Sequence, residues 1–150
     1  MIKTILVPVD GSAHANTAVD WASDIALKYN ARLILLHVIT EDRLAAFPED
    51  IRALKEWERS EINDWELART LAEHLVEAAE TRAGTLGAKL VETLVAEGNP
   101  AKTILSEAKR LRADLIVMGR RGLGNLPAFV LGSVSSKVLH LADCACLTVK

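Results

Sequence analysis

The chain is poor in cysteine, poor in aromatic residues and almost free of net charge, and each shortage excludes something. Two cysteines, Cys144 and Cys146, among 150 residues cannot build a disulfide framework, which points to a reducing compartment. Aromatic side chains make up 4% of the chain, too few for a base-stacking platform or an aromatic cage. Lys and Arg number 18 against 20 Asp and Glu, a formal charge of −2. The basic excess that displaces counterions from nucleic acid is therefore missing. No apolar run approaches the roughly 20 residues that span a bilayer, and stretches such as Leu33 to Leu36 are far shorter. Met1-Ile2-Lys3-Thr4 starts like a strand, without the apolar core and small-residue cleavage site of a secretory signal. These shortages predict a cytoplasmic protein that neither binds nucleic acid nor inserts into a membrane.

What is present suits one folded domain over residues 1–150. Half of the residues are hydrophobic and 25% are charged, enough apolar material for a substantial core. Ile5 to Val9, Leu33 to Val38 and Leu115 to Met118 are apolar almost throughout, which suits strands covered on both faces of a parallel sheet. Lys89 to Val95 is more mixed, as expected nearer a sheet edge, and Leu147-Thr148-Val149 reads as a short last strand.

Helices fill the intervals. Ser12 is a candidate cap for a helix with stripe Ala18, Ala22, Ile25 and Tyr29, ended by Asn30. The second helix is expected to carry its stripe on Leu67, Leu71, Leu75 and Ala78, with Arg82 the next position in the series, and to end before Gly84. Asn99-Pro100 reads as a cap followed by proline at the first helical position, with Ile104, Leu105, Ala108 and Leu111 behind it. The last helix begins near Ser133 and is expected to bury Val134, Val138 and Leu141. Right-handed crossovers then place helices on both faces of an open, five-stranded parallel α/β sheet. The connection at about 40–63 is too long for an ordinary βα loop. It carries Ile51, Leu54 and Trp57 after Pro48 and reads as a helical insertion.

Glycine is unevenly spread: four of the eight lie between Gly119 and Gly132. The segment leaves a buried strand and enters a helix, so its backbone N–H groups and the positive end of the helix suit phosphate. Standard templates fail here. Asn125 follows Gly124 where a P-loop needs lysine, and Pro127 stands where a dinucleotide fingerprint needs its third glycine. By itself the segment also fits a long βα loop with turn glycines. Asp10, at the end of the first strand, adds a carboxylate on the side where open α/β sheets bind ligands. It could accept from an adenine amine or a ribose hydroxyl, help hold a metal, or simply form the turn into the first helix.

Three stretches, Ile5 to Ser12, Leu33 to Val38 and Gly132-Ser133-Val134, resemble the universal stress protein family over essentially the whole chain. Gly119, Gly122, Gly132 and Ser133 reproduce the G-x2-G-x9-G-[ST] spacing of that family's nucleotide-binding branch. The resemblance implies an adenine nucleotide alpha hydrolase-like sheet of order 3-2-1-4-5. It further implies a bound ATP, AMP or ADP, with Mg²⁺ or Mn²⁺ held through the phosphates. Pro8, Val9, Asp10, the backbone of Val38 and Met118 would surround the nucleoside. Gly119, Arg121, Gly122, Gly132, Ser133, Val134 and Ser135 would surround the phosphates, with Ser133 and Ser135 donating from their hydroxyls. Members of the family often pair the last strand across a two-fold axis, which implies a homodimer through 144–149. The proline common before that strand is replaced here by Cys144-Ala145-Cys146. The implied activity is that of a nucleotide-dependent stress-response module with no catalytic residues. A slow ATPase or phosphotransferase and a non-binding oligomeric scaffold are the alternatives.

Overall fold

A computed structural model of the chain describes residues 1–40, 63–123 and 131–150. The insertion expected at about 40–63, with Ile51, Leu54 and Trp57, lies outside the described residues apart from its ends, as do Gly124 and Asn125. The elements are β1 (Thr4–Pro8), α1 (Ala13–Tyr29), β2 (Arg32–Ile39), α2 (Asp64–Thr85), β3 (Val91–Glu97), α3 (Pro100–Leu111), β4 (Leu115–Gly119), α4 (Ser133–Leu141) and β5 (Ala145–Val149). All strand pairs are parallel, in the order β3-β2-β1-β4-β5. The sheet expected from the sequence is the sheet observed.

The two-residue period of a strand divides the core. Ile5, Val7, Leu33, Leu35, Leu115 and Val117 belong to one buried cluster with Ala18, Val19 and Ala22 of α1 and Val76, Ala79 and Ala83 of α2. Leu6, Ile34, Leu36, Ile116 and Met118 belong to the other, with Ala101, Ile104 and Ala108 of α3 and Val138 of α4. The continuously apolar runs are thus strands covered twice. Alanine dominates the helical stripes and lets the helices lie close to the sheet.

Helix ends follow their sequence signals. The Ser12 hydroxyl accepts from Ala15 N–H at 3.1 Å, and Asn30 takes a left-handed conformation that closes α1. Asn99 accepts from Lys102 N–H at 3.2 Å, with Pro100 in the first turn of α3. The second helix corrects two expectations. It runs through Gly84 and stops at a left-handed Gly87 (φ +90°), with Ala88 N–H bonded to the Ala83 carbonyl and Gly87 N–H to Gly84. Its buried stripe is Ala72, Val76, Ala79 and Ala83, one step round from Leu67, Leu71, Leu75, Ala78 and Arg82.

Both stripes share one period, so spacing cannot choose between them, and the close approach to the sheet selects the smaller residues. Leu71 and Ala78 are exposed, and Leu67 and Leu75 half-buried. Arg82 is also exposed and pairs with Asp20 on α1 at 2.5 and 2.7 Å. Tyr29 and Leu141 are corrected as well, being 45% and 65% exposed. Each is the last residue of its helix, where the chain turns away toward the next strand.

Cys144 and Cys146 are half-buried against the α3–α4 side of the core. Burial pushes both thiols up from their usual range, which favours the protonated thiol over the reactive thiolate. No helix among the described residues is long and apolar enough to cross a membrane.

Candidate functional site

The chain lays β2 and β3 to one side of β1, then returns to place β4 on the other. The C-terminal ends of β1 and β4 therefore flank the switch point of the sheet. Their pairing covers only Ile5↔Leu115 and Leu6↔Ile116. Pro8 supplies the reason. Asp114 N–H donates to the Thr4 carbonyl, so even-numbered residues of β1 direct their backbone groups at β4. The next donor in that series would be the nitrogen of Pro8, which carries no hydrogen. The ladder ends there and the strands part.

A cleft of about 290 Å³ opens at this point. Pro8, Val9, Asp10, Val38, Met118, Gly119, Arg121, Gly122, Gly132, Ser133, Val134 and Ser135 all line it. Every residue expected at the site thus reaches one cavity, whereas Arg120 is not among its lining. The cleft has two characters. Leu36, Val38, Pro100, Ile104 and Met118 form an apolar half, and the glycines, Arg121, Ser133 and Ser135 form a polar one.

The polar half is built on the start of α4. Its N-cap is Gly132, with no side-chain cap bond, and Ser136 N–H makes the first bond back, to the Gly132 carbonyl at 2.8 Å. The N–H groups of residues 133–135 are thus not used by the helix's own ladder, and they sit at its positive end. The base of the loop is pinned twice. Gly132 N–H donates to the Arg120 carbonyl at 2.9 Å, and the Ser135 hydroxyl donates to the Gly119 carbonyl at 2.9 Å. That second bond occupies the hydroxyl hydrogen expected to serve a phosphate, so Ser135 can donate to a ligand only by releasing the loop. Ser135→Ala is expected to lower the melting midpoint by roughly 2–4 °C, the effect of about 1 kcal/mol in a chain of this size. An unchanged calorimetric midpoint would show that loop closure does not depend on this bond.

Asp10 serves the turn and faces the cleft at once. Its Oδ1 accepts from Ser12 N–H at 3.0 Å, while its Oδ2 lies against Gly122, where an added Cβ would overlap it. Gly119 has a different neighbour. A Cβ there would lie 2.8 Å from the backbone carbon and the Cβ of His14, so α1 requires glycine at the end of β4. At Gly132 an added Cβ would meet nothing nearer than the Arg120 carbonyl oxygen at 3.4 Å. Three glycines of one spacing pattern therefore have three different surroundings.

Among the lining residues the sequence did not single out are His37, Thr40, Pro100, Ile104 and Leu123. Pro100 and Ile104 read only as helix residues, because nothing local reveals that α3 starts beside the cleft. His37 did carry a signal, as the one ionisable side chain within the apolar run of β2. Among the described residues, no group of three or more His, Cys, Asp and Glu side chains could hold a metal ion.

A family model described as Universal stress protein family matches residues 1–150. A universal stress protein of Thermus aquaticus is 38% identical over 152 residues, covering 100% of each chain. Universal stress protein UspA from Lactobacillus plantarum superposes with a TM-score of 0.76 at 30% identity, over 99% of this chain and 98% of that one. A universal stress protein in complex with cAMP superposes with a TM-score of 0.69 at 27% identity, over 99% and 96% of the two chains.

Proposed function

The chain belongs to the universal stress protein family, and from that premise we propose that it binds an adenine nucleotide, ATP or its AMP and ADP relatives, as a regulatory stress-response module. One observation carries the reading. An apolar slot and a helix start without a side-chain cap share a single cleft at the switch point. A nucleotide has those two characters, a flat base and a polyanionic tail. The related protein in complex with cAMP supports an adenine ligand.

In this reading the base lies between Val38, Ile104 and Met118, and Asp10 Oδ2 accepts from a ribose hydroxyl or the adenine amine. The phosphates lie against the N–H groups at the start of α4, with Arg121 alongside. Asp10 is the only carboxylate among the described residues that line the cleft. A Mg²⁺ or Mn²⁺ ion that accompanies the nucleotide is therefore held mainly by phosphate oxygens. We read the site as one that binds rather than hydrolyses, because among the described residues Asp10 is engaged by the turn and His37 Nδ1 by the Val9 carbonyl. A single-turnover phosphate-release assay separates the two.

Arg120 N–H donates to the Val149 carbonyl at 2.7 Å, which ties the base of the loop to β5. Since β5 stands at the edge of the sheet, we further propose a cytoplasmic homodimer in which β5 pairs with its twin. Occupancy of the loop would then be felt at the subunit contact.

The direct test is to denature purified protein, analyse the released small molecules, and titrate ATP, AMP and cAMP calorimetrically. No released nucleotide and no measurable affinity would overturn the reading. Asp10→Asn keeps an acceptor for Ser12 N–H but removes the charge. It is expected to lower AMP affinity about tenfold, the worth of one charge-assisted hydrogen bond, at an unchanged melting midpoint. Unaltered affinity would exclude Asp10 from the contact.

A further inference from the structure

Pro8 accounts for the opening of the cleft on the β4 side. On the β2 side a further rung is available, and something must keep it from closing. Val9 N–H donates to the Leu36 carbonyl at 2.8 Å. A parallel ladder would continue with Val38 N–H donating to the Val9 carbonyl. Among the described residues that rung is not made. The Val9 carbonyl is instead 2.8 Å from His37 Nδ1. A carbonyl can only accept, so Nδ1 carries the hydrogen. His37 is buried, 6% exposed, and is among the residues that line the cleft.

We infer that His37 is a positioning residue whose imidazole takes the Val9 carbonyl in place of the backbone rung and so keeps Val38 N–H open toward the apolar half of the cleft. An open N–H at the edge of an apolar slot selects a flat heteroaromatic ring that presents an acceptor nitrogen. The inference rests on the adenine-nucleotide reading for its ligand, but the geometry of the rung can be tested without one. The side chain acts through the backbone of Val9 and Val38 and touches no phosphate.

Three variants separate this role from simple packing. His37→Asn places an amide nitrogen near the position of Nδ1, His37→Gln displaces it, and His37→Leu removes the donor. With AMP as probe, His37→Leu and His37→Gln are expected to lose about tenfold in affinity, while His37→Asn stays within about twofold of the parent. Affinity for inorganic tripolyphosphate should be the same in all four proteins.

Without ligand, Val38 N–H in His37→Leu is free to close on the Val9 carbonyl, so its amide exchange should slow about tenfold or more. Equal Val38 exchange in the parent and His37→Leu would overturn the inference whether or not AMP binds. Equal losses for AMP and tripolyphosphate, or failure of His37→Asn to restore AMP affinity, would also overturn it. A parent that binds no AMP but shows the exchange difference would remove the nucleotide reading and leave the role of His37 in the ladder standing.

Discussion

Gly119→Ala is expected to destabilise the protein by about 2–3 kcal/mol and to lower its melting midpoint by roughly 5–10 °C. The added carbon would lie 2.8 Å from two atoms of His14 and 3.0 Å from the Arg121 carbonyl oxygen. One of those His14 atoms is backbone carbon in the first turn of α1, and it cannot turn aside as a flexible side-chain tip would. Relief requires moving α1 away from β4, and with it Ala18, Val19 and Ala22, which are fully buried in the core. Differential scanning calorimetry measures the effect directly. A midpoint within about 2 °C of the parent would mean that α1 yields at little cost. Nucleotide affinity should fall too, because β4 and the loop shift together, but here the loss follows from the fold.

Gly132→Val should show the opposite balance, lowering ATP affinity about a hundredfold or more while costing the fold only about 1 kcal/mol. The first added carbon meets only ordinary contacts, the nearest at 3.4 Å. Gly132 has an extended conformation (φ −61°, ψ 152°) that valine adopts without strain. The remaining volume of the branched side chain falls at the start of α4, where the proposed phosphates approach the helix N–H groups. Titration of ATP beside a melting curve distinguishes the outcomes. Affinity within threefold of the parent would remove the phosphates from this helix start. A midpoint as low as that of Gly119→Ala would instead make Gly132 a packing residue.

The contrast between these glycines marks the limit of the spacing pattern. Gly119, Gly122 and Gly132 are equivalent letters in G-x2-G-x9-G. In the structure the first yields to α1, the second to Asp10, and the third has ordinary space around it. Only for the third is there room within the protein that a ligand can account for. Spacing identifies the loop, and the neighbours of each residue tell what it is for.

Local physics made much of the fold legible in advance. An unbroken apolar run needs cover on both faces, whatever lies elsewhere in the chain, so β1, β2 and β4 were readable from composition and length. Ser12 and Asn99 cap their helices through bonds to residues three positions on, and a bond over three residues leaves its mark in a short window of sequence. The phase of α2 was not readable. Leucine and alanine stripes of one period compete there, and the winner depends on how closely the helix must approach the sheet. The exposure of Tyr29 and Leu141 likewise depends on what the tertiary packing leaves uncovered at a helix end.

The candidate site divides along the same line. The glycine-rich shortfall of side chains between residues 119 and 132, and a carboxylate at the end of β1, could be found by reading along the chain. That they form one cleft follows from strand order, which brings Asp10 against Gly122 across more than a hundred residues of sequence. The meaning of Pro8 and His37 follows from register. Pro8 ends a ladder because its nitrogen falls where β4 would receive a donor, and His37 reaches Val9 because β2 runs beside β1 at that height. Composition and short-range patterns thus decide which segments become strands, helices and loops, since those choices are settled within a few residues. Which carbonyl meets which donor is settled only when distant strands pair, and in this protein that pairing is what opens the cleft.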